Sequence, residues 1–381
     1  MKLTLILKTG LFCLLLIPEM AFGLYPFPVF DGSYFQKTEK TFVDSIDPLI
    51  KSDTIGLNDP PKSAKKTSLF DAIYQLDGTP KIKITTDARH LINNKFKETY
   101  QVAGFELFDP ENKKMLNLPG RIKARGNIRK KVSFFPPVKF DFEKPLLDSL
   151  GFLKTDKLKF VFPRDSRSGS QDKLYKEFLA YEIYNLLDSN YVRTKLIDIS
   201  IHTKGKEKYH FTGFMIEEEK EYARRKNAAV VEKGILIASH LDRKCFLKMA
   251  FFQYMIANTD WSISNKHNIK MVKLPGFAKV VAIPYDFDYA GFVGQSYAVP
   301  YETLPIKNVD ERYFYPPYKM KKGEFYLMVD YFLSLEQGIY QVCENATYLD
   351  KKSIRECKAY LKEFFDLLRK PERLKSEMVK K

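Results

Sequence analysis

The apolar pattern of this chain changes period once, and that change limits the folds open to it. Between about residues 81 and 217 apolar residues alternate with polar ones; beyond about 239 they recur at helical spacing. Alternation is clearest in Lys81-Ile82-Lys83-Ile84-Thr85, 101–107, Arg121-Ile122-Lys123-Ala124-Arg125, Val138-Lys139-Phe140-Asp141-Phe142 and 157–162. Successive strand side chains point to opposite faces, so each segment reads as a strand with one buried face. A helix is expected over about 172–187, with strands over 196–202 and around 211–217.

In the second half, Ser239-His240-Leu241-Asp242 has the form of a capping box, and Cys245, Phe246, Met249, Phe252, Met255 and Ile256 follow at helical spacing. Ser353-Ile354-Arg355-Glu356 has the same form ahead of Cys357, Leu361, Phe364, Phe365 and Leu368. Two short strand-like runs, 269–272 and 280–283, lie between them. A strand-rich half with one helix, then a helical half holding a loop and short strands, is a two-lobed α+β layout. The expected lobes are 77–212 and 213–381.

The first 23 residues read as an export signal. Lys2 is the positive end, 11–17 the apolar centre, and Ala21-Phe22-Gly23 sets small residues at −3 and −1 of a cleavage site. Lys8 and Glu19 keep the apolar run too short for an anchor, so the mature chain is expected to be exported, as a periplasmic, cell-surface or secreted protein with no integral membrane anchor. Residues 24–76, rich in Pro, Lys, Asp and Ser, read as a partly ordered leader. Export leaves Cys245, Cys343 and Cys357 in a compartment that permits disulfides. Cys343 and Cys357 are the pair that could be bridged, and Cys245 falls in an apolar helical pattern as a buried thiol.

Composition removes several function classes. The chain has 45% hydrophobic residues and 31 Phe with 23 Tyr, enough for an aromatic core and too apolar for disorder. Four Cys make no disulfide scaffold, and no metal-ligating Cys/His spacing is present. The formal charge of +16 suggests an anionic partner. No nucleic-acid recognition motif accompanies the charge, and export argues against a nucleic-acid partner.

Three clusters could carry chemistry. The first is Asn258-Thr259-Asp260 with Asn265, His267 and Asn268, directly after the apolar helix. An Asp with amides five and eight residues on can orient a hydroxyl nucleophile while an Asn holds a metal. The second is Pro284-Tyr285-Asp286-Phe287-Asp288-Tyr289-Ala290-Gly291, a strand ending in two carboxylates at i and i+2. Hard divalent cations take such oxygen ligands and bridge phosphate oxygens. The third is Arg125-Gly126-Asn127 at a strand end, backed by Arg129, Lys130 and Lys131, where a Gly admits close backbone approach to phosphate. Singly, these read as a turn, a helix cap and a solvated basic run. Their order along the chain is what gives them meaning together.

On Lys123-Ala124-Arg125-Gly126-Asn127, Asn258-Thr259-Asp260 followed by His267-Asn268, and Ile283-Pro284-Tyr285-Asp286-Phe287-Asp288, the chain resembles the spore-coat protein H (CotH)-like atypical kinases, in their secreted branch. The resemblance runs from about Pro80 to the C-terminus and implies a bilobal protein-kinase-like fold. It implies Asp260 as the catalytic-loop Asp, Asn268 and Asp286 as metal ligands, and Asp288 as an auxiliary acid. Relative to the family, 262–266 lengthen the loop, so Asn265 competes with Asn268; the His-Asn pair favours Asn268. For the nucleotide-positioning pair, Lys139 follows the Gly turn closely, whereas Lys159 stands 18 residues before Glu177. Glu177 matches by its Lys-Glu-Phe context, and Glu182 lies at the centre of the helix's apolar stripe. The implied function is phosphoryl transfer from ATP or another nucleotide, with Mg²⁺ or Mn²⁺, to a hydroxyl acceptor, expected to be Ser/Thr of a protein. The alternative is an inactive kinase-like binding module for an anionic polymer or protein.

Overall fold

The computed structural model of the chain describes residues 66–380. The signal at 1–23 and most of the leader lie outside the described residues. Helix α1 (Leu69–Tyr74) opens the described chain and is capped by Ser68. Its Leu69, Phe70, Ala72 and Ile73 are buried in the first lobe, so the end of the segment read as a leader belongs to the core.

Seven strands then close a barrel: β1 (Lys81–Thr85), β2 (Gln101–Phe108), β3 (Lys114–Ala124), β4 (Val138–Phe142), β5 (Lys157–Val161), β6 (Thr194–Thr203) and β7 (Lys206–Ile216). Short helices α2 (Ala88–Asn93), α3 (Ile128–Val132) and α4 (Lys144–Ser149) interrupt them, and α5 (Ser168–Leu187) runs between β5 and β6. Neighbouring strands are antiparallel except β1 and β6, whose parallel register (Ile82 opposite Ile199, Ile84 opposite Ile201) closes the sheet. Alternation decides which face is inside: Ile82, Ile84, Phe105, Ile122, Phe140, Leu158, Phe160 and Ile199 fill the barrel. The other face of β5 and β7 supplies Val161, Phe214 and Ile216, which join α5 and the second lobe in a separate core. Strand β7 runs to Ile216, beyond the residue 212 at which the first lobe was expected to end.

The second lobe contains α6 (Glu219–Lys226), a three-stranded sheet of β8 (Ala229–Val230), β9 (Ile269–Lys273) and β10 (Val281–Pro284), and α7 (Arg243–Met255). Helices α8 (Lys322–Glu344), α9 (Lys351–Arg369) and α10 (Glu372–Met378) complete it. The two-lobed α+β order expected from the change of period is the architecture observed. Two helix starts differ from expectation. The Asp242 side chain accepts from the Cys245 N–H at 3.0 Å and caps α7, while 238–240 form a 3₁₀ turn. Asp350, not Ser353, caps α9, accepting from the Ser353 N–H at 2.7 Å. In both, the Asp just before the helix accepts from the third helical N–H, one of the four that have no partner within the helix. Cys245, Cys343 and Cys357 are all buried free thiols, so the 343–357 bridge is not formed. Burial pushes the Cys343 and Cys357 thiols up to about 12. Among the described residues, no helix is long and apolar enough to cross a membrane.

Candidate functional site

The loop between α7 and β9 is built around Asn258. Its amide oxygen accepts from the Asp260 N–H at 3.0 Å, its carbonyl from Trp261 Nε1 at 3.1 Å, and its Nδ2 donates to Gln253 at 2.9 Å. Asp260 is thereby held in a fixed, buried turn. The added residues form a small hairpin: the Ser262 and His267 backbones exchange hydrogen bonds at 3.1 and 3.0 Å. The hairpin throws Asn265 outward, exposed, and returns His267 and Asn268 to Asp260. Asn268 Nδ2 donates to the Asp260 carbonyl at 2.8 Å and to Oδ2 at 3.0 Å. Of the two competing amides, only Asn268 reaches the acid, a choice that depends on how the hairpin folds back.

The second acid cluster is brought to the same place by sheet pairing. Pro284 lies opposite Ile269, and the Tyr285 N–H donates to the Asn268 carbonyl at 3.1 Å, so Asp286 leaves the sheet beside Asn268. Its N–H donates to the Tyr181 hydroxyl of α5 at 2.7 Å. Phe287 is fully buried between Tyr181 and Phe252, with ring centroids 4.6 and 5.3 Å away, so Asp286 and Asp288 are aimed by an aromatic wedge between α5 and α7. Gly291 closes the turn against the chain: a Cβ there would meet Asp310 Cα at 2.5 Å. Asn268 and Asp286 both hold positive φ, at 51° and 63°. Left-handed non-glycine residues cost about 1 kcal/mol or more each, and such strain clusters at functional sites.

Charge pairing departs from expectation. Glu177, buried on α5, takes neither lysine. It pairs with Arg129 of α3, whose Nε also donates to Asp288 Oδ2 at 2.9 Å. Tyr297 donates to the same Asp288 oxygen at 2.7 Å. Lys139 and Lys159, cross-strand neighbours on β4 and β5, share Glu218 instead, at 2.8 and 3.2 Å. Glu218 lies just past the end of β7, the strand paired with β5. Glu182 lies away from the acids, accepting from Tyr348 within the helical lobe. The centre of the helix's apolar stripe therefore faces α8 and the loop that follows it, not the cleft.

Electrostatics follow from this packing. Burial, and then the Asp288 charge, push the Asp286 carboxyl up, against the pull of Arg129 and Arg125. Burial pushes Glu177 up in the same way, opposed by Arg129. Burial, with Lys270 and Arg125 nearby, lowers the Lys159 amine to about 7, and the shared Glu218 is held down near 2. Arg125 is half-buried, with its N–H on the Pro137 carbonyl at 2.8 Å, while Gly126 (φ 83°) and Asn127 are exposed at the tip of the turn.

Five residues here were absent from the sequence reading: Arg129 as an ion-pair partner, Glu218, Lys270, Tyr297 and Tyr301. Lys270 is buried on β9, with its ammonium 4.4 Å from the Tyr285 ring centre and near the Arg125 and Lys159 charges. A lysine facing inward from a short apolar strand was the available signal. Tyr301 donates its hydroxyl to Asp260 Oδ1 at 2.6 Å, beside His267 Nε2 at 2.9 Å on the same oxygen. No local pattern marks a tyrosine 41 residues away as a partner of Asp260.

The arrangement provides one buried acid held by hydrogen bonds, a second acid at the end of a strand, and cations on both walls. Among the described residues, no hydrogen bond or ion pair ends on the Asp286 carboxylate, and Asn268 Oδ1 receives no donor. No group of three or more His, Cys, Asp or Glu side chains among the described residues could by itself hold a metal. One carboxylate and one amide oxygen fit Mg²⁺, which keeps waters and phosphate oxygens in its shell, and do not fit zinc. A surface hollow of about 540 Å³, lined by Glu336, Tyr340, Lys358 and Arg369, lies on the helical lobe apart from these acids.

No protein-family model matches the chain, and no curated protein matches it. Among solved structures it is similar to a Helicobacter pylori proinflammatory kinase, CtkA, with a TM-score of 0.37 at 10% identity, over 62% of this chain and 95% of that one. A likeness at that level assigns no role to any residue.

Proposed function

We propose that the chain is an exported kinase-like phosphotransferase that moves a phosphoryl group from ATP or another nucleotide to a hydroxyl acceptor, with Ser/Thr of a protein as the expected class. The observation that carries this reading is the meeting of Asp260 and Asn268 in direct hydrogen bonds, with Asp286 beside them across one backbone bond. Asp260 would orient the acceptor hydroxyl and take its proton. Asn268 Oδ1 and the Asp286 carboxylate would hold Mg²⁺ or Mn²⁺, which when bound offsets the charge of the donor's phosphates. Arg125 and Lys159 would neutralise charge on the transferred group, and Lys139 and Glu218 would set the position of Lys159. Arg129 would tie Asp288 of the acid turn to Glu177 of α5.

Asp286→Ala tests it. Loss of the thermal shift produced by Mg-ATP and loss of phosphotransfer, in a folded protein, are expected. Unchanged turnover in that variant sinks the reading. One observation favours the inactive binding module instead: Asp260 Oδ1 already accepts from both His267 and Tyr301, leaving it no room for a substrate hydroxyl in this conformation. In that case the cationic walls would hold an anionic polymer or protein. No thermal shift with any nucleotide, together with salt-sensitive polysaccharide binding, distinguishes it. Neither reading calls for a nucleic-acid partner or a membrane anchor after signal cleavage.

A further inference from the structure

Tyr301 sits where an acceptor must sit. Its phenol donates to Asp260 Oδ1 at 2.6 Å, the oxygen that a proton-accepting aspartate would use. The residue is 51% exposed on the irregular segment between β10 and α8, and its hydroxyl partner is the acid alone among the described residues. Burial and the hydrogen bond to Asp260 hold the phenol protonated, raised well above the ordinary tyrosine range, so it arrives with a proton to give.

Resting on the phosphotransferase reading, we propose that Tyr301 is the chain's own phosphoacceptor, and that its modification clears the acceptor position. In the step, the phenolic oxygen forms a bond to the γ-phosphorus of a bound nucleoside triphosphate. The bond from that phosphorus to the β–γ bridging oxygen breaks, the electron pair leaves with the nucleoside diphosphate, and the phenolic proton passes to Asp260 Oδ1. The phosphotyrosine has lost its donor hydrogen and carries close to two negative charges beside Asp260 and Asp286. Like-charge repulsion expels it, and Oδ1 becomes available to a second hydroxyl. Intramolecular placement makes the first transfer independent of encounter between chains.

The test uses the mature chain, phosphatase-treated and then incubated with Mg-ATP, with intact mass and peptide mapping as the readout. One phosphate on Tyr301 is expected, gained at a rate unchanged over about a tenfold range of protein concentration. The modification should vanish in Asp286→Ala, and Tyr301→Phe should gain no phosphate in the peptide that contains residue 301. Phosphate found only elsewhere, or none at all while Mg-ATP still raises the melting temperature, overturns the proposal and leaves the phosphotransferase reading standing. Neither phosphate nor any nucleotide-dependent shift overturns both.

Discussion

Arg129→Met is the substitution whose consequence follows most directly from the packing. Arg129 is 8% exposed, and its guanidinium bridges Glu177, 1% exposed, and Asp288, 5% exposed. Methionine keeps much of the side-chain volume but leaves two buried carboxylates without their cation. Removing one member of a buried, hydrogen-bonded pair costs roughly 3–5 kcal/mol, because the remaining charge is stranded in a medium that solvates it poorly. The sign of the pH dependence is fixed as well. Burial already raises Glu177 against the pull of Arg129, and losing Arg129 raises it further. A carboxyl raised in the folded state binds its proton more tightly there than in the unfolded chain. Its penalty is absent at low pH and grows as pH rises through the folded value. Urea unfolding of parent and variant should therefore give a deficit that reaches about 3–5 kcal/mol as pH rises past about 8, where the parent's Glu177 ionises beside Arg129, and that is narrower below, where both folded forms hold the carboxyl protonated. Adding Glu177→Gln should recover part of it, since the two sites interact directly. A deficit under about 1 kcal/mol, or one that does not change with pH, refutes the reasoning.

Two other outcomes are specific enough to measure. Burial raises the Glu182 carboxyl from 4.5 to about 7, so the stability it contributes is complete below its ordinary value and lost as pH rises through about 7. Glu182→Gln should match the parent at pH 5 and exceed it at pH 8.5 by on the order of 2 kcal/mol in chemical denaturation; equal curves at both pH values refute this. Asn268→Ala should remove Mg-ATP stabilisation and any phosphotransfer, whereas Asn265→Ala, on the exposed hairpin tip, should leave both within about twofold of the parent. The reverse ranking would return the metal role to Asn265.

Periodicity alone was enough to read the lobes and every barrel strand to within a few residues at most ends, because alternation and helical spacing are local consequences of backbone geometry. The loop of Asp260 and the turn of Asp286 were also legible, since Asn, Asp and Gly at strand and helix ends are constrained by the backbone around them. Partner choice was not legible. Arg129 meets Glu177 across 48 residues and Asp288 across 159, and Tyr301 reaches Asp260 across 41. A lysine 18 residues before Glu177 looked the better partner, yet both lysines pair with Glu218, just past the end of β7 where it pairs with β5. Asn265 and Asn268 were equivalent by type, and Glu177 and Glu182 by helix; only the hairpin and the packing of α5 separated them. Even the cysteines illustrate the division: spacing allowed a bridge between Cys343 and Cys357, and the fold keeps them as buried thiols on α8 and α9. The sequence by itself determined the order of elements and the inventory of acids, amides and cations. The tertiary structure decided which of them meet, because those pairings depend on the closing of the barrel and the seating of α5 between the lobes, where long-range geometry outweighs local preference.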